Sequence, residues 1–327
     1  MEQAPAEPGQ TEQAPAEQGQ ARVSLSSALA GSLLAVLAHP SWWVLALAGF
    51  LVRGGLLVLL LPLIPLPTTA GLANAVGPML VGFVFGGPSP AFLLLFGAAV
   101  AALTLWLVLG GALGVATDLA LIRRAAADEE LGEGEPPTRG GTWRALLVRW
   151  LAHLPTTAIL LWGAARLVDA AYAELISPGD AGLPVPIRVL LRVPLVVGLL
   201  LATWLAGEAI GGLAVRYMAA GSGSRAALAQ ALMAIARPSG LAVLVMTHAA
   251  LAVALVVGGM ATWAAAEHAR IVLLDGAARP TQWIALGLLS AGWLGTLWLV
   301  ALAAAWRSAA WTWEVRRRTT AATASAT

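Results

Sequence analysis

Apolar residues in this chain gather into six long stretches, near 41–62, 89–114, 155–176, 189–215, 239–264 and 282–306. A bilayer core of about 30 Å is crossed by about 20 apolar residues in a helix, a length that each stretch reaches. The pattern predicts an all-α, polytopic membrane protein with six transmembrane helices. The third stretch is the weakest, because Arg166, Asp169 and Glu174 interrupt its outer half.

Shorter segments with a helical period precede three of these stretches. In 225–236, Leu228, Leu232 and Ile235 fall at i, i+4 and i+7, away from Arg225 and Gln230; in 142–154, Trp143, Leu146, Leu147, Trp150 and Leu154 form a similar stripe. In 24–38 the stripe is Leu25, Leu29, Leu33 and Val36, with only serines and glycine opposite. They are expected to be amphipathic helices lying in the inner interface; the competing arrangement is that they prolong the membrane helices into the cytoplasm. Each ends in a basic residue or histidine and a proline: His39-Pro40, His153-Leu154-Pro155 and Arg237-Pro238. Proline suits a helix start, where its missing N–H would have had no partner. These junctions divide the chain into three hairpin units at 22–122, 142–224 and 225–318, with a cytoplasmic linker at 123–141. Tails at 1–21 and 319–327 are expected to be disordered. The first of them repeats Glu-Gln-Ala-Pro-Ala-Glu at residues 2–7 and 12–17, too polar to offset its ordering entropy.

Composition narrows the class. Hydrophobic residues make up 59% and charged residues 11% of the chain, against about 45–50% and about 25% in soluble domains. The absence of cysteine excludes disulfides, thiol catalysis and cysteine-ligated metals. A net charge of +2, with Arg316-Arg317-Arg318 as the one dense basic run, argues against a nucleic-acid partner. Membrane lipids and other membrane proteins are the partners to expect.

Basic residues are retained on the cytoplasmic side. With both termini inside, thirteen arginines fall inside and five outside: Arg166, Arg188, Arg192, Arg270 and Arg279. The expected location is the cytoplasmic membrane, with N- and C-termini cytoplasmic. Trp42, Trp43, Trp143, Trp150, Trp306, Trp311 and Trp313 then mark the inner interface, and Trp263 and Trp283 the outer.

Charges inside apolar spans are costly and therefore informative, at about 2.5–3.5 kcal/mol each on insertion scales. Measured at about 1.5 Å per residue, Arg53 lies roughly 18 Å, Glu208 roughly 10 Å and His248 roughly 15 Å from the inner boundary. Glu208 is the only acidic residue deep in a span, Asp169 and Glu174 lying toward an outer end. An Arg53–Glu208 ion pair with His248 beside it is therefore expected, serving either as a staple for helix register or as a proton or anion relay. Gly110 with Gly114, and Gly207 with Gly211, form G-x-x-x-G spacings that predict close helix approach. The uncharged, proline-rich 63–88 suits a re-entrant or capping outer loop.

Catalytic signatures are lacking: there is no G-x-x-x-x-G-K-[ST], H-E-x-x-H or G-x-S-x-G, and no pair of mid-membrane aspartates. Neither an enzyme, a metal nor a cofactor is expected.

The helix-to-basic-Pro junction, followed by a hairpin and by Val215-Arg216-Tyr217, Ser224-Arg225-Ala226-Ala227-Leu228, Ala229-Gln230-Ala231-Leu232 and Arg237-Pro238, resembles a broad group of bacterial six-helix integral membrane proteins. That group includes the membrane domain of glycerophosphoryl diester phosphodiesterases and uncharacterised relatives. The resemblance implies an auxiliary or scaffolding membrane protein over residues 22–318. No phosphodiesterase segment accompanies it in these 327 residues, so no catalytic residue carries over. The alternative is a small-solute transporter using Arg53, Glu208 and His248.

Overall fold

A computed structural model describes residues 25–64, 86–87, 89–127, 139–177, 183–276 and 278–324, with isolated positions at 71, 74 and 82. The expected tail 1–21, most of the loop 63–88 and most of the linker 123–141 lie outside them.

The described residues form helices: α1 (Leu25–Ala38), α2 (Pro40–Leu63), α3 (Pro90–Ala127), α4 (Arg139–Ala152), α5 (Leu154–Ile176), α6 (Val185–Arg192), α7 (Pro194–Ala219), α8 (Ser224–Ile235), α9 (Pro238–Leu274) and α10 (Arg279–Ala324). Five of these, α2, α3, α7, α9 and α10, are long and apolar enough to cross a membrane. A sixth crossing requires α4 from Gly141 and α5 to count as one span bent by 47°. The described residues are all-helical, and their five or six long apolar helices are those of a multi-pass membrane protein.

Three helices outrun the bilayer. With 38, 37 and 46 residues, α3, α9 and α10 continue well past the apolar limits at 114, 264 and 306. Hydropathy marks where hydrocarbon ends, whereas a helix continues as long as its backbone bonds are made and its side chains find partners. Arg317 and Arg318 pair with Glu314 at 2.8 and 2.6 Å along α10, so this helix runs through 319–324, part of the expected disordered tail.

All three proline junctions are helix breaks. His39 and Arg237 are the N-terminal caps of helices with proline at the first position, and His153 caps a helix with Pro155 at the second. The His39 and His153 rings turn back on the preceding helix, with Nδ1 2.9 Å from the carbonyls of Ala35 and Arg149.

Inward faces of α4 and α8 are mostly small or polar, and most of their large apolar residues point out. In α8, Ala227, Ala231 and Ala234 are buried while Leu232 and Met233 are exposed. In α4, Ala145, Val148, Arg149 and Ala152 face inward with Leu146, whereas Trp143, Leu147, Trp150 and Leu151, and Leu154 at the start of α5, are exposed. Lipid is as apolar as a protein core, so the large residues gain little by turning inward, and close packing selects small ones. Trp42 and Trp311 depart from the expected interfacial belt: each is 2% exposed and packed in the interior.

Burial concentrates at one end of the bundle. Leu29, Leu213, Ala231, Val243, Trp311 and Val315 form one cluster, and Val36, Trp42, Leu121, Ala125, Val300 and Ala305 a second. Val115, Leu119, Ile122, Leu146 and Val215 form a third. Among the described residues, α3 buries nothing before Gly114. The charged site lies at this same well-packed end.

Candidate functional site: a buried arginine cluster

Arg53 sits where α2 loses its regularity. Residues Leu51–Gly55 make a π-helical turn in which Gly54 adopts φ 106°, a left-handed conformation that a side chain disfavours. The turn brings the backbone of α2 against α3. A Cβ on Gly110 would stand 2.5 Å from the Val52 carbonyl, and one on Gly114 would stand 2.6 Å from Cγ of Arg53. The first G-x-x-x-G thus vacates the groove in which the Arg53 stem lies.

One turn beyond Gly114 on the same face of α3 is Asp118, buried at 7% exposure. Its Oδ2 accepts from Nη1 of Arg53 at 2.7 Å and from Nη2 of Arg149 at 2.6 Å. Arg53 also donates through Nε to the Gly49 carbonyl at 2.9 Å. One carboxylate therefore ties together α2, α3 and α4. Arg149 has a groove of its own, since Cβ atoms on Gly211 and Gly207 would meet Arg149 Cγ at 3.2 Å and the Ala152 carbonyl at 3.0 Å. Both glycine pairs seat an arginine that reaches Asp118.

On the other side of the cluster, Arg216 donates to the carbonyl of Gly212 at 2.7 Å, to Oγ of Ser308 at 2.6 Å and to Oγ1 of Thr312 at 3.2 Å. Its guanidinium carbon stands 5.3 Å from the Trp311 ring centroid, and that of Arg307 stands 5.5 Å from it. Trp311 is fixed in turn, donating through Nε1 to Oγ1 of Thr247 at 2.9 Å. Arg53, Asp118, Arg149, Glu208, Arg216 and Arg307 surround a pocket of about 10 Å³, room for one water molecule.

The expected Arg53–Glu208 pair is corrected. Both residues line the pocket, but Arg53 pairs with Asp118, while Oε1 of Glu208 lies 3.6 Å from Nε2 of His153. The error came from ending the second span at 114, which left Asp118 outside the helix. His248 does not line the pocket: its ring lies 5.3 Å from that of Trp311, with Nδ1 2.8 Å from the Leu244 carbonyl. The junction residues His39, Pro40, Pro155, Arg237 and Pro238 also lie off the pocket, as helix caps and first-turn prolines.

Three arginines of the site, Arg149, Arg216 and Arg307, were not among the expected site residues: all three counted as cytoplasmic charges, and Arg216 also as part of the resemblance. A signal was present for two of them. Arg149 shares the small face of α4 with Ala145 and Ala152, and Arg216 follows Gly212 by one turn.

Two further ion clusters stand apart. Glu174, 1% exposed, takes Arg188 and Arg192 at 2.9 Å each and so ties α5 to α6. Nη2 of Arg318 donates to Oγ of Ser239 at 3.2 Å as well as to Glu314, joining the start of α9 to α10. No group of three or more His, Asp or Glu among the described residues is placed to hold a metal ion.

Comparison of the chain with protein-family models, curated proteins and solved structures found no match.

Proposed function

We propose that the chain is a non-enzymatic integral protein of the cytoplasmic membrane that scaffolds, or is auxiliary to, a membrane partner or lipid. The observation that carries this is the use made of a buried carboxylate: Asp118 cross-links three helices through two arginines, and the space beside it has room for about one water. Buried ion pairs of this kind fix helix register and are strongly destabilising to break. A solute route needs a continuous polar passage, for which one water's room is too little.

The same reading takes α1, α4 and α8 as interfacial helices leading three hairpins, with Trp143 and Trp150 turned toward headgroups. It places both termini in the cytoplasm on the arginine asymmetry. It also follows the resemblance to bacterial six-helix membrane proteins, whose implication is an auxiliary role. A second reading, a small-solute transporter, draws on the four arginines that face the pocket against two carboxylates.

The chain has no native cysteine, so single cysteines report directly. In membrane vesicles, Ala46→Cys and Ala304→Cys, both at neutral pocket positions, are expected to resist a membrane-impermeant maleimide from either face, while Glu133→Cys in the 123–141 linker reacts from the cytoplasmic face. Labelling of the pocket cysteines from both faces would replace the scaffold with the transporter.

A further inference from the structure

The pocket carries more positive charge than its carboxylates balance. The groups facing it come from five elements: Arg53 from α2, Asp118 from α3, Arg149 from α4, Glu208 and Arg216 from α7, and Arg307 from α10. His153, at the α4–α5 junction, stands behind Glu208. Four guanidiniums against two carboxylates leave a formal excess of two positive charges before His153 is counted. Guanidinium groups keep their charge in proteins, so the excess cannot be relieved by losing protons.

Hydrogen bonding shows where the excess is felt. Asp118 is committed to Arg53 and Arg149 through a single oxygen. Arg216 is satisfied only by neutral acceptors, the Gly212 carbonyl and the hydroxyls of Ser308 and Thr312. Arg307 has the face of Trp311 and no carboxylate within ion-pair distance among the described residues. Nε of Arg149, a residue 8% exposed, is buried and makes no hydrogen bond. A donor of this kind beside Arg216, which is 4% exposed, and the partly exposed Arg307, neither with a counter-charge at ion-pair distance, is an incomplete site, since an uncompensated buried charge such as that of Arg216 costs several kcal/mol.

We infer that this pocket binds one small monovalent inorganic anion of the chloride class, with Arg149, Arg216 and Arg307 as its cationic wall. Size points to the class: room for about one water is nearer to a monatomic anion than to phosphate, a carboxylate metabolite or a lipid headgroup, each of which carries several heavy atoms. Charge decides the sign. The anion completes the polar core as a resident counter-ion and binds α10, which carries Arg307, to α4 and α7, which carry Arg149 and Arg216.

The test uses full-length protein in detergent, exchanged into sodium gluconate and titrated with sodium chloride or bromide at constant ionic strength. The midpoint of thermal unfolding is expected to rise saturably by about 3–6 °C over roughly 0–100 mM halide. Radiolabelled chloride is expected to bind at one ion per chain, and Arg307→Gln to weaken that binding by at least about tenfold. Should Arg307→Gln fail to fold, Ala304→Val, which narrows the pocket and keeps every charge, is expected to shift binding from bromide toward chloride. Equal unfolding midpoints in gluconate and halide, with no saturable chloride binding, overturn the inference. So does binding that neither variant alters. The scaffold proposal stands or falls separately: chloride flux through proteoliposomes would remove it and leave the site in place.

Discussion

At the scale of single residues, Asp118 has the largest consequences. Its Oδ2 accepts from two guanidiniums on different helices, so neutralising it strands both in a setting with few other acceptors. Asp118→Asn is expected to cost about 3–5 kcal/mol, the range for removing one partner of a buried pair. Asp118→Glu should recover part of the loss. Equilibrium unfolding in detergent, followed by circular dichroism, measures both, and an Asp118→Asn protein within about 1 kcal/mol of wild type would show that the bridge is not a staple. Asp118 was hidden in the sequence because hydropathy sets helix ends by polarity, and a lone aspartate after an apolar run reads as the end. Only its register with Gly110 and Gly114, at i+8 and i+4, pointed inward. Arg53 and Glu208, singled out as charges within apolar stretches, do share one pocket, whereas which acid meets which base depends on tertiary contacts that no single helix encodes.

Among elements, the two glycine pairs behave alike. Each was visible as a spacing that permits close approach, yet what approaches was not: a π-helical turn with Arg53 at one, and Arg149 with the end of α4 at the other. Because the Gly110 position faces a backbone carbonyl, a methyl group there cannot be relieved by a rotamer change. Gly110→Ala is expected to destabilise by about 1–3 kcal/mol, the cost of overpacking, whereas Gly97→Ala on the same helix, with open space around it, should be neutral. Unfolding midpoints of the two variants in one detergent make the comparison, and equal values would mean that α2 and α3 part freely. The stripe expected on α4 does not form one face, since Leu146 is buried while Trp143, Leu147 and Trp150 are exposed. The side such a stripe would present was not legible, because in a membrane the large apolar face can look outward.

For the molecule as a whole, composition and six apolar stretches were enough to show a multi-pass helical protein. The count stayed open at the one place where the sequence was weakest: the third stretch crosses only in combination with α4, through a bend of 47°. The arginine asymmetry then yields a prediction for the intact chain. Single cysteines at Ser222, between α7 and α8, and at Glu133 are expected to react with an impermeant thiol reagent from the cytoplasmic face, and one at Asp275, between α9 and α10, from the opposite face. Labelling of Ser222→Cys and Asp275→Cys from the same side would break the hairpin formed by α9.

The uneven burial of α3 has a mechanical meaning. Its C-terminal part is riveted by Asp118, while from Pro90 to Leu113 it buries nothing among the described residues. Swinging that N-terminal half exchanges lipid contacts for other lipid contacts, and mismatch with the bilayer changes its energy by only fractions of a kcal/mol per Å. Such a helix would act as a cantilever: a thinner or thicker membrane would change the inclination of its free half about the fixed end, where the arginines meet.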